Sequence, residues 1–142
     1  MVSVVVATRN RSGLLREALT SIAAQYFQDF EVIVIDDGSD AATLAGYDSM
    51  WAELDARFLL HRAVAPSVPG TGPVAARNRG IRQARGEFVA FLDDDDRWIK
   101  NDHLAIGVEA LQSENADYYF ANMISMRRGR SVILDWFPAS PG

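Results

Sequence analysis

Apolar residues fall into short runs along this chain, and polar clusters rich in Asp, Arg, Asn and Gly separate them. Residues 2–7 are β-branched and nearly all apolar, which predicts a strand covered on both faces. After the polar stretch 8–13, residues 14–25 place Leu15, Ala18, Leu19 and Ile22 at helical spacing, with Ser12 as the expected N-cap. Residues 30–35 predict a second strand, 43–56 a helix and 57–61 a short third strand. A long loop, 62–71, leads to a helix over 73–84 that starts with Pro73, where a missing N–H is harmless. Gly86 is expected to end that helix, and 87–92 predicts a fourth strand whose apolar run, 88–92, suits a buried position. Beyond it, 102–114 reads as a helix, and 117–124 and 131–136 read as strands joined by the turn Arg127-Arg128-Gly129-Arg130.

Strands alternating with helices predict an α/β fold, a mostly parallel sheet with helices on both faces and right-handed crossovers. In open sheets of this kind ligands bind outside the C-terminal ends of the strands. Three polar clusters are expected at such ends: Thr8-Arg9-Asn10-Arg11, Asp36-Asp37-Gly38-Ser39, and the four consecutive aspartates Asp93 to Asp96.

Length and composition narrow the classes. At 142 residues, 49% of them hydrophobic, the chain is read as one domain with a sizeable core. A net charge of -5 argues against a nucleic-acid binder with a broad basic face. Without cysteine there are no disulfides or thiolate metal sites, which fits a cytoplasmic location. The N-terminus lacks the basic start of a signal peptide, and no run approaches the roughly 20 apolar residues of a membrane span. The Pro- and Gly-containing end, 138–142, reads as a linker into a further region.

Four adjacent carboxylates repel one another and call for a counterion. Hard oxygen ligands suit Mg²⁺ or Mn²⁺. The plainer alternative is a solvated acidic turn that caps the next helix. Asp37, just past the second strand, is placed to accept from a base N–H or a ribose hydroxyl, while Ser39 and Asp40 also suit helix capping. Thr8, Arg9 and Asn10 precede a helix N-terminus, where anions are favoured, and Arg11 is taken as solvated. No glycine-rich dinucleotide fingerprint or P-loop stands anywhere in the chain, which disfavours a Rossmann dehydrogenase and a P-loop enzyme. Arg77 and Arg79 suit phosphate contact, whereas Arg82 and Arg85 suit an exposed helix face. Trp98 reads as core, and His61 and His103 as structural or exposed. Together these groups suggest a nucleoside diphosphate carried with a metal that stabilises charge on the departing diphosphate.

Five segments in order carry a resemblance: residues 2–11, 31–39, 75–81, 84–87 and 91–98. They include Glu31-Val32-Ile33-Val34-Ile35-Asp36-Asp37-Gly38-Ser39 and Phe91-Leu92-Asp93-Asp94-Asp95-Asp96-Arg97-Trp98. In order and spacing they resemble family 2 glycosyltransferases with the Rossmann-like GT-A fold. The resemblance implies a metal-dependent, inverting transfer of a sugar from a nucleotide diphosphate sugar, UDP-linked by preference, to an unknown saccharide, lipid-linked or protein acceptor. Such reactions serve polysaccharide or glycoconjugate synthesis. The family's Asp-x-Asp motif falls on Asp93-Asp94-Asp95. It implies Asp95 as direct metal ligand, Asp93 or Asp94 facing the ribose or the metal's waters, and Asp96 as an electrostatic neighbour. Asp37 matches an acceptor for a uracil N–H, Thr8 a position near the base, and Arg77 one near base or phosphate.

The family's general base lies well downstream of the metal motif, whereas 46 residues follow Asp96 here. Asp135 comes too early for that role. The expectation is therefore a donor-binding domain over 1–142 without the acceptor-binding part, in which 117–142 form a strand pair leading out. Membrane association at the inner face would come through regions outside this chain. Two alternatives stand beside it: a non-catalytic nucleotide-sugar-binding module, and a phospho-receiver domain. The second wants a Lys on a late strand, whereas the one Lys, Lys100, follows the acid run.

Overall fold

The computed structural model describes residues 1–63, 70–127 and 130–133. Residues 64–69 of the long loop, 128–129 of the basic turn, 134–136 of the last expected strand with Asp135, and the 138–142 end lie outside the described residues. The chain divides into two compact units, Met1–Ala105 and Ile106–Gly142.

The first unit is built on four parallel strands. β1 (Val2–Thr8), β2 (Phe30–Asp36), β3 (Phe58–His61) and β4 (Phe88–Phe91) lie in the order β3-β2-β1-β4. The helices α1 (Ser12–Ala23), α2 (Ala41–Trp51) and α3 (Pro73–Gln83) make the crossovers. The path from β1 to β3 crosses the sheet one way and the path to β4 doubles back. Right-handed connections therefore put α1 and α2 on one face and α3 on the other.

Register shows the two-sided burial that the β-branched runs predict. Val5 is level with Ile33 and Ala7 with Ile35. Ile33 and Ile35 share a core cluster with Ala76 of α3, and Ala7 packs against it. A Cβ added at Gly80 would lie 2.3 Å from Val5 Cγ1, so α3 approaches β1 closely enough to exclude any side chain there. The alternate positions Val4, Val6, Val32 and Val34 are fully buried, as are Leu15, Ala18, Leu19 and Ile22 of α1.

Several expectations need correction. Ser12 is the first helical residue and not the cap; Arg11 holds the cap position without a side-chain cap bond. Asp40 does cap α2, accepting from the Thr43 amide at 2.8 Å. Gly86 does not stop α3, which ends at Gln83; instead a Cβ there would sit 2.6 Å from the Ser3 amide nitrogen. β4 is not buried on both faces: Val89 is 38% and Phe91 48% exposed. It pairs with β1 alone among the described residues, and α3 lies over β1 and β2.

In the second unit the strand expected over 117–124 does not form, and Tyr118, Phe120, Met123 and Ile124 are exposed there. Aromatic residues favour strands only where a neighbouring strand packs beside them. The strand pair found is β5 (Ser125–Arg127) with β6 (Arg130–Ile133), antiparallel and irregular at Ser125/Met126. The preceding helix, α4 (His103–Ser113), ends on left-handed Asn115, and the Ala116 amide donates back to the Leu111 carbonyl at 3.0 Å.

Candidate donor site at the strand ends

The sheet order reverses beside β1: one neighbour, β2, follows it directly, and the other, β4, arrives last. A crevice opens at the C-terminal ends of two strands at such a switch point. Thr8 ends β1 on one side, and the aspartates follow β4 on the other. Thr8 Oγ1 donates to Asp94 Oδ2 at 2.8 Å across this point. Both groups are buried, so the bond fixes one aspartate inward and sets the orientation of its neighbours.

Each of the other acids in the run has a separate position. Arg11 Nη1 donates to Asp94 Oδ1 at 3.1 Å and to Asp95 Oδ2 at 2.9 Å. Arg77 pairs with Asp93 through Nη2 and Oδ1. The Asp96 amide donates to the Asp93 carbonyl at 3.1 Å, closing a turn. Burial pushes the Asp96 carboxyl up, and the charges of Asp95 and Asp93 add to that. Hydrogen bonding to Asp94, together with the charges of Asp94 and Asp95, raises the Arg11 guanidinium above its ordinary range. Arg11 is thus not simply solvated, as expected, but the counterion of two aspartates.

The first two clusters are joined by short polar bonds. Asn10 takes a left-handed conformation at φ 54°. Its amide donates to Ser39 Oγ at 2.9 Å, and its Oδ1 accepts from the Asp40 amide at 2.8 Å. Asn tolerates this backbone region better than most residues. Asp36 is turned inward, accepting from the Gly38 and Ser39 amides and from the Ser39 hydroxyl. The buried Tyr47 hydroxyl lies 3.3 Å from Ser39 Oγ, and burial pushes that phenol up. Asn10 therefore serves the loop's shape, and its side-chain oxygen is already engaged.

Asp37 points to the start of α3. Its Oδ1 accepts from the Thr71 amide at 2.9 Å and from Thr71 Oγ1 at 2.7 Å, and its Oδ2 accepts from the Gly72 amide at 2.8 Å. Burial pushes the Asp37 carboxyl up, but these bonds and the Arg79 charge outweigh it and hold the group below its ordinary range. A Cβ at Gly70 would fall 2.5 Å from Asp37 Oδ2 and 2.7 Å from Arg9 Nη1, so Asp37 and Arg9 both border that glycine.

Sequence reasoning missed two further groups. Buried Gln25 holds the segment after the aspartates: its Nε2 donates to the Lys100 carbonyl at 2.8 Å, and its Oε1 accepts from the Leu104 amide at 3.0 Å. Half-buried Trp98 lies against His103 in the same segment, ring centroids 4.7 Å apart and planes tilted by 32°. At the opposite ends of the strands, Glu31 accepts from Ser3 Oγ at 2.7 Å and from Arg85 Nε at 3.0 Å. Arg85 is exposed, as read, but it lies beyond the end of α3 and pairs with the buried Glu31. An acid inside the apolar run 30–35 was the visible signal for this pair.

Among the described residues, no three carboxylates or imidazoles converge as a ready-made metal site. Asp93 and Asp95 are each about half exposed, whereas Asp94 has both oxygens engaged. Two half-exposed carboxylates, each paired with an arginine through one oxygen, fit a hard cation whose remaining positions are filled by water and substrate phosphates, the usual arrangement for Mg²⁺.

The first unit is thus a doubly wound α/β sheet with acids and arginines gathered at its switch point. Residues 3–132 match the family described as Glycosyl transferase family 2, and the chain belongs to that family. It is 40% identical over 116 residues to the succinoglycan biosynthesis protein ExoW of Rhizobium meliloti (strain 1021), covering 78% of this chain and 34% of that protein. It is 34% identical over 128 residues to a GalNAc(5)-diNAcBac-PP-undecaprenol beta-1,3-glucosyltransferase of Campylobacter jejuni, covering 89% and 39%. The chain thus spans about a third of the length of these relatives. Among solved structures, S. aureus TarS 1-349 in complex with UDP-GlcNAc superposes with a TM-score of 0.68 at 33% identity, over 82% of this chain and 32% of that one. The mannosyltransferase PcManGT from Pyrobaculum calidifontis, in complex with GDP-Man and Mn²⁺, gives 0.67 at 32% identity, over 78% and 32%. The fold is GT-A, as the resemblance implied. No described helix is long and apolar enough to cross a membrane.

Proposed function

We propose that residues 1–142 are the donor-binding part of a metal-dependent, inverting glycosyltransferase that takes a UDP-linked sugar. The observation that carries this reading is the Thr8–Asp94 bond across the switch point. It pins one acid of the run and leaves Asp93 and Asp95 half-exposed, paired with Arg77 and Arg11. The nucleotide sugars in TarS and PcManGT, and the Mn²⁺ in the latter, support it.

In this reading Asp95, with Asp93, would hold Mn²⁺ or Mg²⁺, which would supply positive charge against the leaving diphosphate. Thr8, Arg9 and Asn10 shape the wall beside the nucleoside, with Asp37 as the acceptor for a base N–H and Arg77 facing phosphate. Asp94 keeps the acid loop in place from beneath. In the transfer, the bond from the anomeric carbon to the diphosphate oxygen breaks. A bond to an acceptor oxygen forms on the opposite face, and the acceptor's proton passes to a base that this reading assigns outside residues 1–142.

Isothermal titration of UDP into the protein with and without Mn²⁺ tests it. Binding that strengthens with Mn²⁺ and is lost in Asp95→Ala is expected; no binding to the folded protein under either condition refutes the uridine reading. A second reading is a module that binds the donor without transferring. Sugar transfer or donor hydrolysis that Asp95→Ala abolishes rules the second reading out.

A further inference from the structure

The donor-site reading above leaves Arg11 without a role, and its position gives it one. Its guanidinium bridges the pinned acid Asp94 and the half-exposed acid Asp95 through a single nitrogen, Nη1. The positive charge that the aspartates need is therefore already supplied, in part, by the protein. A cation arriving alone competes with an arginine for Asp95. A nucleoside diphosphate changes that competition, because guanidinium groups bind phosphate oxygens bidentately. Arg11 also holds the cap position of α1, a 12-residue helix whose first amides favour anions. Asn10, held left-handed by Ser39 and Asp40, fixes the backbone from which Arg11 projects. The side chain itself is 49% exposed.

We propose that Arg11 makes cation binding conditional on the donor: it occupies Asp95 when the site is empty and moves to the diphosphate when a nucleotide binds, releasing Asp95 to the metal. This rests on the donor-site reading. Asp94 stays in place throughout, because Thr8 keeps its hold on the other oxygen. The coupling is reciprocal, so UDP strengthens Mn²⁺ binding by the same factor by which Mn²⁺ strengthens UDP binding. The pair is solvent-exposed on the Asp95 side, so removing it should change affinity by about 2- to 5-fold.

The test is Mn²⁺ binding by electron paramagnetic resonance to the wild-type protein, Arg11→Met, Arg11→Lys and Asp95→Asn, each with and without UDP. Mn²⁺ held by UDP in protein-free solution is subtracted, and thermal melts check folding. Without UDP, Arg11→Met is expected to bind Mn²⁺ about 2- to 5-fold more tightly than wild type, with a smaller enhancement by UDP. Arg11→Lys, which keeps the charge but loses the planar fork, should resemble wild type with Mn²⁺ alone and lose part of the enhancement; this variant carries the test if Arg11→Met does not fold. Equal Mn²⁺ affinity in wild type and Arg11→Met with an unchanged UDP enhancement overturns the role of Arg11 and leaves the donor site standing. Absence of protein-bound Mn²⁺ with UDP in the wild type overturns both.

Discussion

Replacing Thr8 by Val isolates the bond that spans the switch point. Val keeps the branched shape and both side-chain carbons' positions, so packing changes little; what is lost is the hydroxyl that donates to Asp94 Oδ2 at 2.8 Å. Thr8 is 4% and Asp94 5% exposed, so water cannot readily replace the donor. A hydrogen bond to a charged partner is worth about 1.5–3 kcal/mol, and a buried acceptor left without one loses a similar amount. The expected loss of stability is therefore about 2 kcal/mol, which lowers a urea midpoint by roughly 1 M at a slope typical of small proteins. Urea unfolding followed by tryptophan fluorescence measures it, with the slope checked for change. Asp94→Asn and the double variant complete a cycle, and a coupling above about 1 kcal/mol is expected for groups in direct contact. A Thr8→Val loss below about 0.5 kcal/mol at unchanged slope would refute the reasoning, as would simple additivity.

Gly80→Ala should destabilise by about 1–3 kcal/mol, because the new methyl meets Val5 Cγ1 at 2.3 Å; adding Val5→Ala should restore part of the loss in thermal melts. Asp37→Asn puts an NH₂ group among the three N–H and O–H donors of Thr71 and Gly72, so a loss of about 1–3 kcal/mol and faster proteolysis near the start of α3 are expected. Burial pushes the Glu31 carboxyl up, but its bonds to Arg85 and Ser3 outweigh this and hold it below 4.5, its ordinary value. With the folded value depressed, its contribution is present above about pH 4.5 and is lost as pH falls through the folded value. Glu31→Gln should therefore flatten the part of the acid unfolding profile below that pH, and an unchanged profile would count against the Glu31–Arg85 pairing.

The parallel sheet was legible because its strands are the chain's strongest signal: Val2 to Val6, with Ser3 its one polar residue, and Val32 to Ile35 are otherwise apolar on both faces. Strand ends were legible for the same reason, since each apolar run stops at a cluster of Asp, Asn or Arg. Partners were not. Nothing local says that Arg11 reaches across 84 residues to Asp95, or that Arg85 closes on Glu31 from 54 residues away. The clearest misreadings, the exposed face of β4 and the missing strand over 117–124, share one cause. Propensity reports what a segment suits, while strand formation and burial depend on which neighbour is beside it. The glycines show the same limit: Gly86 looks like a helix stop but is required by the Ser3 backbone.

The sheet order also fixes a sequence of events in time. β1 is made first, yet one of its two neighbours, β4, comes last, and Thr8 meets Asp94 across a gap of 86 residues. At roughly 5–20 residues per second, synthesis keeps β1 waiting about 4–17 s for that partner, long after β2 can pair with it. During this interval one edge of a mostly apolar strand is open on a nascent chain. The Thr8–Asp94 bond has to wait for the acids, so it is among the last contacts of residues 1–105 that synthesis allows.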